Sequence, residues 1–273
     1  MKPAAFDLSF AGSLDEALGA IAGSDGAKPV SGGCSLGPML NLRLARPSAL
    51  VDLRRVSELR ALNRSATFLE IGAGWTHAEF EDGVVPDVSA GLMRRVAHGI
   101  AYRAVRNRGT IGGSLAHADP AADWISTMAV LDARLTLRGP AGMREVAMGD
   151  FMIAAYTTVL APDELLTAVR VPVLSGSAKV GYHKICRKTG EFAQAIGAVV
   201  LDGGSGLARV VAGAVEAPPL VLAGAGAALA AGDPAGALVV ANAEIDTALA
   251  GLPEAFRAIH KVAVERAFSD AGI

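Results

Sequence analysis

Apolar positions along this chain repeat at two spacings, about 3.6 residues in some stretches and two or none in others, and the alternation predicts its elements. Leu14, Ala17, Leu18 and Ile21 fall on one helical face behind Ser13, with Asp15 and Glu16 in the first turn, so residues 13–22 read as a short amphipathic helix. Lys28-Pro29-Val30-Ser31 runs into Gly32-Gly33-Cys34-Ser35-Leu36-Gly37, residues 39–44 resume helical spacing, and 49–53 predict a buried strand. Residues 67–74 read as a strand ending in glycine, and Thr76-His77-Ala78-Glu79 as the polar start of a helix. Leu92, Val96, Ile100 and Ala104 share a face, which predicts one helix over 92–105.

Further on, a helix is expected over 121–131, with Asp119 as its N-cap and Pro120 in its first turn. Strands follow at 133–138, 144–148 and 164–171, the last closed by Pro172. Leu174-Ser175-Gly176-Ser177 reads as a linker. Three strand-like runs at 179–186, 193–201 and 208–215, joined by glycine-rich turns, predict an antiparallel meander, and helices fill 220–271, the last over 253–267. Helices flanking short strands indicate the α+β class. The expected division is an α/β unit over 1–55, an α+β unit over 56–175, and a C-terminal unit over 176–273 with a three-stranded antiparallel sheet and helices.

Composition narrows the function. The 273 residues are 52% hydrophobic, ample for proper cores, and the charge is balanced at −2 with Lys and Arg dispersed, which disfavours nucleic acid or an anionic membrane as partner. No apolar run lasts the roughly 18 residues of a membrane span, and MKPAAFDLSF lacks the basic-then-apolar order of a signal peptide, so a cytoplasmic protein is expected. Two separated cysteines, Cys34 and Cys186, cannot supply the thiolates of an iron–sulfur cluster, and five scattered histidines form no zinc motif. Glycine, at 32 residues, exceeds the usual share of about 7%, and part of the excess sits in two short segments.

The longer candidate segment is Arg106 to Asp123, RNRGTIGGSLAHADPAAD, with glycines at 109, 112 and 113. Its G-x-x-G-G spacing is neither a Rossmann fingerprint nor a P-loop. Ser114, His117, Asp119 and Asp123 interleave with apolar residues, as in a buried segment facing something polar. Peptide N–H donors to a charged oxygen contribute roughly 1.5–3 kcal/mol each, so two Gly-Gly segments 80 residues apart could together hold a diphosphate. Taken singly, each is equally a tight turn beside a helix. Arg187-Lys188-Thr189-Gly190-Glu191-Phe192, taken alone, reads as a solvated hairpin with a charge pair.

Taken together, these residues resemble the FAD-binding medium subunits of molybdenum hydroxylases, the carbon monoxide dehydrogenase medium chain type, related to the flavin domain of xanthine dehydrogenase. The resemblance runs through Ser31-Gly32-Gly33-Cys34-Ser35 with Leu42-Arg43-Leu44-Ala45-Arg46-Pro47, through Arg108 to Asp123, and through Tyr182-His183-Lys184 with Arg187 to Ala193. It implies a vanillyl-alcohol-oxidase-type FAD-binding fold and non-covalent FAD. Gly32, Gly33, Cys34 and Ser35 with Ile111, Gly112 and Gly113 would take the diphosphate, Ser114, His117 and Asp123 the ribityl and adenosine-side hydroxyls, and Tyr182 and Lys188 would lie near the isoalloxazine. Ser31, Leu36, Thr110 and Asp119 complete the implied set. It further implies an electron-transfer role in a dimer of heterotrimers, with the molybdenum cofactor in a large subunit and [2Fe–2S] clusters in a small one, and no catalytic residue or metal in this chain. Cys34 stands where the family often has His or Thr, and Glu191 where Asp is usual. Two rivals are a stand-alone FAD-dependent oxidase of the same fold and a scaffold protein without flavin.

Overall fold

A computed structural model describes residues 2–273. The chain opens with β1 (Asp7–Phe10), α1 (Leu14–Ala22), β2 (Lys28–Val30), α2 (Leu36–Asn41) and β3 (Ala49–Asp52), which form a parallel sheet in the order β1-β3-β2. Ser13 caps α1 by accepting the Glu16 N–H. Central β3 is buried as expected, whereas all four β1 residues are exposed, although Asp7-Leu8-Ser9-Phe10 alternates polar and apolar in sequence. The helix expected to reach residue 44 stops at Asn41, because Arg43 takes φ +60° and turns the chain toward Pro47.

The middle of the chain holds β4 (Leu62–Arg64), β5 (Phe68–Gly72), α3 (His77–Glu81), α4 (Leu92–Gly99), α5 (Arg103–Arg106), α6 (Ile111–His117) and α7 (Asp123–Val130). Then come β6 (Arg134–Gly139), β7 (Gly142–Ala147), α8 (Met148–Phe151), β8 (Met152–Ala154), β9 (Thr157–Thr158) and β10 (Leu165–Pro172). Five of these strands make an antiparallel sheet in the order β4-β5-β10-β6-β7. Two expectations need correction. The single helix over 92–105 is two, α4 and α5, separated by Ala101 at φ +44°; the Arg106 guanidinium donates to the Ile100 and Ala101 carbonyls and so holds the break. Asp119 does not cap α7. Its carboxylate accepts the Ala121 N–H at 2.9 Å in a turn, and the helix begins later, at Asp123.

The C-terminal part has β11 (Lys179–Ile185), β12 (Ala195–Asp202), β13 (Leu207–Gly213) and β14 (Leu220–Val221), an antiparallel sheet of four strands rather than three. It is followed by α9 (Ala223–Ala230), α10 (Pro234–Ala248) and α11 (Glu254–Ala271). Helix α11 lies directly on the sheet: a Cβ at Gly197 would sit 2.1 Å from the Ala263 carbonyl oxygen. Helix α7 packs on the sheet at β13, where a Cβ at Gly213 would reach within 1.9 Å of Ser126 Oγ. All eight residues of α7 are buried. The largest apolar cluster runs unbroken from Leu14 and Leu18 of α1, through Ile71, Ile125 and Val169, to Ile196 and Val200 of β12. We retain the division at 55 and 175 as a proposal about the chain's units. Among the described residues, no helix is long and apolar enough to cross a membrane.

Candidate functional site

Strand β2 delivers the chain into the first glycine segment. Gly33 holds φ +70°, a conformation costly to residues with a Cβ, and Gly32 lies so close to the second segment that a Cβ would be 2.0 Å from the Arg108 carbonyl oxygen. The turn leaves the backbone N–H groups of Gly32, Gly33, Cys34, Ser35 and Leu36 without an acceptor among the described residues. Ser35 begins α2 without a capping bond from its hydroxyl. Cys34 is half-buried, its thiol directed at the Gly32 and Val105 carbonyls, and burial raises its pKa against the opposing charge of Arg108. The Arg108 Nε donates to the Gly32 carbonyl at 3.1 Å. The two glycine segments therefore touch.

The second segment is built differently. It is no loop but the start of α6, with Thr110 as N-cap accepting the Gly113 N–H at 3.1 Å. The Ile111 N–H donates to the Trp75 carbonyl and the Gly112 N–H to the Ala73 carbonyl, each at 3.0 Å. These amides are engaged in tying α6 to the turn before α3. Behind this tie, Trp124 Nε1 donates to His77 Nδ1 at 3.0 Å, and burial lowers the His77 pKa to about 4, so its ring is neutral. Ser114 and His117 follow at i and i+3, which places them on one face of α6. Both are half-buried, and the His117 ring lies 5.2 Å from that of Tyr156, whose backbone is held at φ +58°.

A third cluster joins the middle of the chain to the C-terminal sheet. Asp123, at the start of α7, accepts the Tyr182 hydroxyl at 2.7 Å and the Lys184 ammonium at 3.0 Å. The side chains of Asp123 and Lys184 are only 7% and 11% exposed. Burial pushes the Asp123 carboxyl up against the pull of Lys184, and burial with the Asp123 charge raises the Tyr182 hydroxyl well above its usual range, so Tyr182 remains a donor. Lys184 was not among the expected site residues. Its signal was the two-residue period of β11, which puts it on the same face as Tyr182. Lys188, by contrast, stands exposed in the turn after β11 and does not join the cluster.

A family model described as the FAD binding domain in molybdopterin dehydrogenase matches residues 4–174. The chain belongs to this family. It is 37% identical over 194 residues, 71% of this chain and 66% of the relative, to the 6-hydroxypseudooxynicotine dehydrogenase complex subunit alpha of Paenarthrobacter nicotinovorans. With the carbon monoxide dehydrogenase medium chain of Hydrogenophaga pseudoflava it shares 36% identity over 203 residues, 74% of this chain and 70% of that one. A chain of reconstituted CO dehydrogenase from Oligotropha carboxidovorans superposes with a TM-score of 0.90 and 33% identity, covering 99% of both chains. The chain thus has the α+β fold of this FAD-binding family and is the FAD-binding component of an oxidoreductase. Its residues fit the cofactor: five consecutive unengaged amides beside a left-handed Gly33 form a cradle for an anion, and a buried polar cluster lies at the start of α7.

Proposed function

We propose that this chain is the FAD-binding medium subunit of a heterotrimeric molybdenum hydroxylase. In this reading a small subunit carries [2Fe–2S] clusters, a large subunit carries the molybdenum cofactor and the organic substrate, and the heterotrimers pair into a cytoplasmic dimer. The observation that carries it is the run of unengaged amides from Gly32 to Leu36, braced against the second glycine segment. Bound there, FAD supplies one- and two-electron redox chemistry, which suits the transfer of electrons from the clusters to an external acceptor. The chain's own residues bind and orient. The 32–36 amides receive the diphosphate, with Ser31 at the entry of the turn. Ser114, His117 and Asp119 face the cofactor's hydroxyls, while Asp123 holds Tyr182 and Lys184 toward its ring. Lys188 approaches only if its exposed turn folds inward.

The test uses the purified chain loaded with FAD and mixed anaerobically with aldehydes, purines and N-heterocycles. The expected result is a visible flavin band that none of these substrates bleaches, with bleaching appearing once the molybdenum and iron–sulfur subunits are added. Prompt bleaching of the lone chain would replace this reading by the stand-alone oxidase. Failure to take up any flavin would replace it by the scaffold.

A further inference from the structure

Five backbone amides carry no net charge, yet the group they face is a doubly charged diphosphate that must leave water to reach them. Arg108 brings a cation to this place. Arg108 lies near the start of the second segment, just before Gly109, and its Nε donates at 3.1 Å to the carbonyl of Gly32, the first residue of the amide run. Its backbone carbonyl is the group against which Gly32 packs, so main chain and side chain of Arg108 both bear on the same turn. Among the described residues no carboxylate pairs with it: ion pairs form at Arg103 with Glu81 and Asp82, and at Arg106 with Glu81, but none at Arg108. The guanidinium charge is also felt at Cys34, inside the run, where it opposes the effect of burial on the thiol.

From this geometry we infer that Arg108 is the counter-cation of the diphosphate: Nε holds the turn through the Gly32 carbonyl, while the Nη donors, free of protein partners, receive a phosphate oxygen. A guanidinium can do both because its donors lie in one rigid plane, a task that a lysine ammonium cannot share between two acceptors in the same way. The inference rests on the assignment of the 32–36 amides to the diphosphate. It adds to that assignment a charge, and with it a preference for flavins that carry phosphate.

The experiment titrates flavin-free full-length chain with FAD and with riboflavin, which has no phosphate, following flavin fluorescence at low and high salt. Arg108→Met is expected to weaken FAD about tenfold at low salt, as loss of one charge-assisted bond implies, with no change for riboflavin. The gap should narrow as salt screens the charge. Arg108→Lys should fall between. Arg108→Gln keeps a donor for the Gly32 carbonyl and lacks the charge; it should match Arg108→Met, and it serves as the test if that variant does not fold. Wild-type FAD affinity in Arg108→Met or Arg108→Gln, alongside weakened FAD in Gly33→Val, would overturn the role of Arg108 and leave the diphosphate assignment standing. Equal weakening of FAD and riboflavin, independent of salt, would make Arg108 a structural brace only and overturn it as well. Unchanged FAD affinity in Gly33→Val would instead bring down the diphosphate assignment itself.

Discussion

The two Gly-Gly segments of this chain spell nearly the same word and are used in opposite ways. At 32–33 the N–H groups of the turn, and those through Leu36, meet no acceptor among the described residues. At 112–113 the N–H groups point inward, to Ala73 and to the Thr110 hydroxyl, and the glycines serve close packing: a Cβ at Gly112 would lie 2.4 Å from the Ala73 Cβ. One segment leaves its backbone donors unengaged; the other uses them to tie α6 to the turn before α3. A glycine pair is thus read correctly only when the destination of each N–H is known.

Substitutions should separate these roles. The largest effect is expected from Gly112→Val, which forces side-chain carbons into the Ala73 backbone and should cost about 3 kcal/mol of folding stability, measured by urea denaturation of flavin-free protein. A stability loss below about 1 kcal/mol there would mean that α6 is not packed as described.

Acid should act on the second segment next. The His77 pKa is lowered in the folded chain, so folding excludes a proton that the unfolded chain binds. The associated stability is present above the unfolded value of about 6.5 and is lost as pH falls toward the folded value of about 4. Between pH 7 and pH 5 this amounts to a loss of about 2 kcal/mol, which should vanish in His77→Phe. Equal acid sensitivity in that variant would assign the loss to other groups.

The smallest stability effect, and the largest on ligand, belongs to Gly33→Val. A left-handed φ costs a residue with a Cβ about 1–2 kcal/mol, yet nothing but Val30 Cγ2, at 3.7 Å, stands near the new atom. The chain should therefore fold and bind FAD at least tenfold more weakly by fluorescence titration. Full flavin occupancy after purification would contradict the contrast between the segments.

Much of this was legible in the sequence, for physical reasons that differ by element. Buried β3 and β12 appear as apolar runs, and α1 and α11 as amphipathic stripes, because burial and spacing are local properties. Exposed β1 was missed because its alternation, Asp7-Leu8-Ser9-Phe10, is only four residues long and buries neither face, so pairing with β3 defines it. The break at Ala101 was missed because Arg106 enforces it through carbonyls of an otherwise helical pattern. The candidate residues came from motif and resemblance, but the engagement of Ile111 and Gly112 depends on carbonyls some 40 residues away, and Lys184 was hidden within a strand while its partner, Asp123, lies about 60 residues earlier at the start of α7.

Helix α7 has a consequence for how such chains can be recombined. It belongs by sequence to the middle of the protein, yet it lies against β13 at Gly213, and its first residue is bonded to Tyr182 and Lys184 of β11. A C-terminal sheet borrowed from a relative would therefore meet a helix shaped for a different partner. Exchange of that sheet between family members has to carry Asp123 and Ser126 along with it, so the workable junction for a chimera lies before α7, at 118–122, well upstream of the linker that the chain itself displays.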